Sequence, residues 1–141
     1  MSLKVELRPG ERLLVGNSII TNSDQRTRLF IDGRAPVLRE KDILTPEDAN
    51  SPARRIYLAV QIMYLEDDTD TLRAEYFKIV TDIVAAAPSM TALVHEINNE
   101  ILTKNLYKAL RAAKRLIEYE QELLANAASG GSGLPADGKN R

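Results

Sequence analysis

The sequence predicts an α+β protein, with a small antiparallel β-sheet module at the N-terminus followed by an α-helical body of about four helices. Three observations predict it. Up to about residue 45, short runs alternate apolar and polar residues and are separated by glycine, proline and asparagine turns, the period-two signature of half-buried strands. Thr45-Pro-Glu-Asp48 and Ser51-Pro52 then place a hydroxyl cap ahead of a proline, the form of a helix N-terminus. From there to about residue 125, apolar residues recur at helical spacing.

Leu3-Lys-Val-Glu-Leu7 and Glu11-Arg-Leu-Leu-Val15 flank Pro9-Gly10, where proline presets the first corner of a type II turn and glycine takes the φ > 0 corner. This predicts a hairpin, with Gly16-Asn17 turning the chain into a third strand. After the turn formers Asn22-Ser-Asp-Gln25, the run Arg26–Asp32 puts Arg26, Arg28, Phe30 and Asp32 on one face and Thr27, Leu29 and Ile31 on the other. Asp32-Gly33 turns again. Ala35–Glu40 forms a last short strand that Pro36 confines to an edge or a strand start. The expected order is an antiparallel meander.

A proline at 52 would break a helix begun at 46, so one helical turn precedes the main helix. That helix carries Ile56–Leu65 with Gln61 as its single polar residue, so it is buried on most sides and central to the helical body. Glu66-Asp-Asp-Thr-Asp70 is a solvated break. A helix over about 71–86 shows the stripe Leu72, Tyr76, Ile79, Val80, Ile83, Val84, Ala87. Pro88-Ser89 ends it and opens the next, with Met90, Leu93, Val94, Ile97 and Ile101 in register. A last helix spans about 105–125, with Leu106, Leu110, Ala113, Ile117 and Leu124 at core spacing. The organisation is thus a β module over 1–45, a helical body over 46–126 and a polar, glycine-rich tail over 127–141 expected to be disordered.

Composition excludes several classes. The chain has 141 residues, 44% hydrophobic and 28% charged, ordinary for a soluble domain. No apolar run approaches the ~20 residues that span a bilayer, and no export signal is present, so the expected location is cytoplasmic. With no cysteine, disulfides, thiolate catalysis and thiolate metal sites are ruled out. His95 is the only histidine, offset from its helix stripe. No nucleophile elbow, phosphate loop or dinucleotide fingerprint is present, and no enzyme activity, cofactor or metal is expected. A calcium loop starting at Asp68 would need glycine and glutamate where Arg73 and Ile79 stand, so the acidic cluster is a solvated loop beside a helix N-terminus.

The net charge of −1 hides an asymmetry. Residues 1–45 hold eight basic and six acidic groups, whereas 46–125 hold nine and thirteen. Two basic surfaces are therefore candidates for contact with a phosphate backbone. One is the strand module, with Arg8, Arg12, Arg26, Arg28, Arg34, Arg39 and Lys41. The other is a stripe assigned to the last helix, with Lys104, Lys108, Arg111 and Arg115. Phe30 is the sole aromatic of the strand module, so the paired stacking aromatics of an RNA-recognition motif are missing.

Four blocks carry a family resemblance: Leu3–Asn17, Asp24–Ile43, Ala53–Leu65 and Tyr107–Glu120. In order and spacing they resemble the FlbT family, flagellar post-transcriptional regulators of alphaproteobacteria, over about Leu3 to Leu124. The resemblance implies a protein that binds the 5′ untranslated region of flagellin mRNA, represses translation or shortens message lifetime, and works alongside FlaF. Within it, Arg8-Pro-Gly-Glu11, Leu13–Gly16, Ala35-Pro36, Arg39-Glu40 and Ile43 are similar to the small RNA-binding regulator CsrA. That similarity implies a strand-borne RNA grip through Arg8 and Arg39, while Leu7 and Leu38 depart from its basic and histidine positions. The alternative expectation is a protein-interaction adaptor whose helical body binds FlaF or flagellin and affects the message indirectly. A homodimer would cover the edges of so short a sheet module.

Overall fold

The computed structural model describes residues 2–131. Five strands come first, β1 (Ser2–Leu7), β2 (Arg12–Val15), β3 (Ser18–Thr21), β4 (Thr27–Asp32) and β5 (Val37–Arg39). Four helices follow, α1 (Pro52–Glu66), α2 (Arg73–Ala86), α3 (Thr91–Leu102) and α4 (Leu106–Gly131). The α+β division therefore stands as expected.

The strand partners do not follow the expected meander. The Pro9-Gly10 turn forms, with Glu11 N donating to Arg8 O at 3.0 Å and Gly10 at φ +74°. The hairpin across it does not. β1 pairs antiparallel with β4, from Ser2–Asp32 to Leu7–Thr27, while β2 pairs with β3 on one side and β5 on the other. A type II turn lacks the twist that joins two right-twisted strands, so β1 and β2 leave it splayed into different sheets. Gly16-Asn17, with φ +62° at the glycine, does close the β2–β3 hairpin. Val5, Leu7 and Leu13 are buried between the sheets, with Val15, Leu29, Ile31 and Val37 packed around them.

The helix starts follow their caps. Thr45 Oγ1 accepts from Asp48 N at 3.3 Å ahead of a single 3-10 turn. Ser51 Oγ accepts from Arg54 N at 3.2 Å, and α1 begins at Pro52. A buried carboxylate completes that second cap: Glu120 of α4 accepts from Ser51 Oγ at 2.5 Å and from Ala53 N at 3.1 Å. α1 packs against α4 and α2, and α4 also packs against α3, around a core that includes Ile56, Val60, Met63, Ile97 and Leu116.

Three of the helical stripes are less buried than their spacing predicts; on α4, Leu106, Leu110 and Ala113 are buried but Leu124 is exposed. On α2 only Tyr76 and Ile83 are fully buried, with Phe77 exposed. In the next stripe Met90, Val94 and Ile97 are buried, but Leu93 and Ile101 are only half-buried. Between α1 and α2, Asp68 accepts from Asp70 N at 2.9 Å and from Thr71 Oγ1 at 2.5 Å. Those bonds, the Thr71 hydroxyl first, hold its carboxyl below the ordinary value. α4 continues past Asn126, because Ala125, Ala127 and Ala128 favour helix. The disordered tail expected from 127 thus begins as helix, and 132–141 lies outside the described residues.

The two modules are fastened by side chains of α1. Gln61 is buried, and its amide accepts from Leu44 N at 2.8 Å and donates to Leu44 O at 3.0 Å. Tyr64 Oη meets both Val37 N and Val37 O at 3.0 Å, on the side of β5 away from β2. Leu38 and Leu14 reach into the helical core from the same sheet face.

Candidate nucleic-acid interface

Half of the strand-module arginines are engaged by carboxylates. Arg12 donates through Nε and Nη2 to Glu40 at 3.2 and 3.0 Å, and its own N–H reaches the same carboxylate at 3.1 Å. Arg28 donates to Glu6, its cross-strand partner, at 3.1 Å. Arg39 Nη2 donates to Glu11 at 3.0 Å and to Glu6 O at 2.9 Å, while its Nε is buried and meets no acceptor among the described residues. Glu11 also accepts from Arg8 N at 2.9 Å. The Arg8 backbone bond, then the Arg39 guanidinium, hold the Glu11 carboxyl below its ordinary value of 4.5. Arg8 and Arg39 therefore meet at one carboxylate within one chain, with Arg39 turned into the structure and the Arg8 side chain exposed.

Arg8, Arg26, Arg34 and Lys41 are exposed and make no ion pair among the described residues. Arg26 and Arg34 lie at the two ends of β4. Lys41 follows β5 and stands at a junction. It lines a hollow of about 370 Å³ with Arg8, Pro9, Gly10, Glu11 and Glu40. It also lines a groove of about 350 Å³ with Tyr57, Tyr107, Arg111, Lys114 and Arg115. The two basic surfaces separated in sequence thus join at Lys41.

The groove is built where α4 crosses the segment after β5. Lys114 Nζ donates to Asp42 Oδ1 at 2.9 Å, and Tyr57 Oη donates to Asp42 O at 2.5 Å. Burial pushes the Tyr57 phenol up from its ordinary value. Tyr107 is half exposed and packs its ring 5.8 Å from that of Tyr64. Arg115 pairs with Glu96 of α3, whereas Lys108 and Arg111 are exposed with no ion pair among the described residues. Four cationic groups (Lys41, Arg111, Lys114, Arg115) face two carboxylates, Asp42 and Glu118.

One member of the expected helical stripe lies elsewhere. Lys104 precedes α4 and ends α3 in the left-handed conformation at φ +64°. Asn105 N donates to Glu100 O at 2.8 Å and Lys104 N to Ile101 O at 3.1 Å, the paired bonds of a Schellman cap. Its Nζ turns to Thr69 Oγ1 at 3.3 Å, away from the groove. Sequence reading missed Lys114, Tyr57 and Tyr107. Lys114 sits two turns after Tyr107 and three residues after Arg111, a spacing that could have marked the face.

Cations reach phosphates at such a groove, and a half-exposed tyrosine ring offers a stacking platform to an unpaired base. Among the described residues no three His, Asp or Glu side chains converge as a metal site, and His95 is exposed. No described helix is long and apolar enough to cross a membrane.

Fold and groove together define a small α+β protein that presents cationic and tyrosine side chains at the seam between a sheet module and a helical body. Residues 3–124 match the family described as flagellar protein FlbT. The chain belongs to that family. It is 57% identical over 124 residues to a probable flagellum biosynthesis repressor protein FlbT 1 of Bradyrhizobium diazoefficiens, covering 87% of this chain and 85% of that one. A probable flagellum biosynthesis repressor of Rhodopseudomonas palustris is 51% identical, covering 89% and 99%. The flagellum biosynthesis repressor protein FlbT of Caulobacter vibrioides is 34% identical, covering 92% and 94%. No solved structure matches the chain. Membership places the protein in flagellum biosynthesis, among relatives that carry the name repressor.

Proposed function

We propose that the protein is a cytoplasmic repressor of flagellin synthesis that binds the 5′ untranslated region of flagellin mRNA and lowers its translation or lifetime. The observation that supports this reading is the junction at Lys41. There the Arg8 turn and the Arg111–Lys114–Arg115 face of α4 meet beside Tyr57 and Tyr107. A single-stranded leader would run along this path, with phosphates on the cations and a base on Tyr107. Arg39, held by Glu11 and Glu6, positions the turn in place of touching RNA. In a gel-shift titration, Lys41→Ala with Arg111→Ala lowers leader affinity and reduces the log–log salt slope by about 0.7 per lost phosphate contact. Unchanged affinity and slope would remove the groove from the account.

A second reading is an adaptor for FlaF or flagellin. It is favoured by the apolar hollow of about 190 Å³ lined by Met63, Tyr76 and Ile101, with Phe77 and Leu102 exposed at its rim. In that case Leu102→Glu abolishes protein capture and leaves leader binding intact.

A further inference from the structure

The three-stranded sheet has two edges, and they are treated differently. At β5 the outward N–H and C=O of Val37 are both taken by Tyr64 Oη. At β3 no described residue covers the edge, and all four residues, Ser18 to Thr21, are exposed. Ladder geometry fixes which backbone groups are free. Val15–Ser18 closes the two-residue loop, and Asn22 N donates to Glu11 O at 2.9 Å, so alternation makes Leu13–Ile20 the hydrogen-bonded pair between them. Ser18, Ile20 and Asn22 therefore turn their backbone groups towards β2, and Ile19 and Thr21 turn theirs outward.

The side chains on this edge are also unusual for an exposed strand. Ile19 is 63% exposed and Ile20 40% exposed. Ile20 shares a face with Leu13, at the margin of the core between the sheets, and Ile19 shares the opposite face with Leu14 and Leu38, which pack on the helical core. Both apolar layers stop at β3 with no described residue pairing beyond it. Charge, proline and a bulge, the usual means of blocking an edge, are absent from Ser18–Thr21.

The geometry points to a second copy of this chain as the occupant, added antiparallel across β3. The strand is self-complementary. With Ile20 opposite Ile20 of the other copy, Ile19 faces Thr21 twice, and these outward residues exchange four backbone hydrogen bonds. No charge is buried, and β-branched side chains meet β-branched side chains at every step, the pairing sheets favour. The alternative two-fold centred on Ile19 would set Ile20 against Ser18 and lose that apolar pair. The product is one sheet of order β5-β2-β3-β3-β2-β5 whose outer edges are both closed by Tyr64. Three paired residues per copy bury less than a standard interface, so the dimer is concentration-dependent.

The test is sedimentation equilibrium on the full chain over a wide concentration series. The mass should rise from 15.7 kDa towards twice that value. Ile19→Pro removes only an outward N–H and Ile20→Lys places a charge on the axis. Each should keep the mass at 15.7 kDa with the helical circular dichroism unchanged. Because the chain has no cysteine, Ile20→Cys introduces a lone thiol. Its Cα would lie about 4.5 Å from its mate in the close pair, within disulfide reach. Rapid oxidative cross-linking of Ile20→Cys, faster than of Ile19→Cys, supports the register. A wild-type chain monomeric throughout, variants that dimerise like wild type, or faster cross-linking at residue 19 would overturn it.

Discussion

Lys114 Nζ of the last helix donates to Asp42 Oδ1 at 2.9 Å, joining residues 72 positions apart. Asp42 is the better buried partner, with 18% of its side chain exposed against 49% for Lys114. The bond clamps α4 against the segment after β5, and so brings Lys41 alongside Arg111. An Asp42→Asn, Lys114→Met double-mutant cycle read by urea unfolding should give a coupling of about 0.5–1 kcal/mol. Zero coupling would mean that packing alone sets the seam.

Glu120 is buried at the start of α1, where it satisfies Ser51 Oγ and Ala53 N. Glu120→Ala leaves both donors without a partner and should lower stability by about 2–3 kcal/mol. Glu120→Gln retains one acceptor oxygen and should cost less. Equal losses for the two variants in chemical denaturation would show that volume, and not hydrogen bonding, is what the site requires.

Glu11 titrates below its ordinary value of 4.5 because Arg8 N and then the Arg39 guanidinium bind its ionised form. Glu40 is lowered likewise, by Arg12 N and then the Arg12 side chain. A carboxyl whose folded pKa is depressed adds stability above its unfolded pKa and loses it as pH falls through the folded one. Unfolding midpoints should therefore drop on acidification below about pH 4.5. In Glu11→Gln that drop should be shallower. An unchanged profile would remove Glu11 from the acid response.

Lys104 holds φ +64° at the end of α3, a conformation costly to any residue with a Cβ. Lys104→Gly should raise stability by about 0.5–1 kcal/mol, the part-buried bond to Thr69 being long at 3.3 Å. Since Lys104 lines a different hollow from Lys41 and Arg111, leader affinity should not change. A loss of affinity as large as that of Arg111→Ala would return Lys104 to the interface.

Much of the local structure is legible in the residues themselves. Thr45 and Ser51 mark the 3-10 turn and the start of α1, Pro9-Gly10 and Gly16-Asn17 mark two of the turns, and the apolar run Ile56–Leu65 marks the central helix. Each is a short-range matter of φ preference, capping or period, settled within a few residues of chain. The basic residues of the site could be named, but not which of them would be neutralised. Arg12, Arg28 and Arg39 found carboxylates 28, 22 and 28 positions away.

What only the tertiary structure decided is which strands pair and which charges meet. A turn's residue types fix its type, but β1 could splay from β2 only because β4 supplied another partner in register. The join at Lys41 likewise depends on α4 folding back across the sheet module, set by Asp42, Tyr57 and Lys114. Such contacts form between side chains far apart in the chain, and no local preference encodes them.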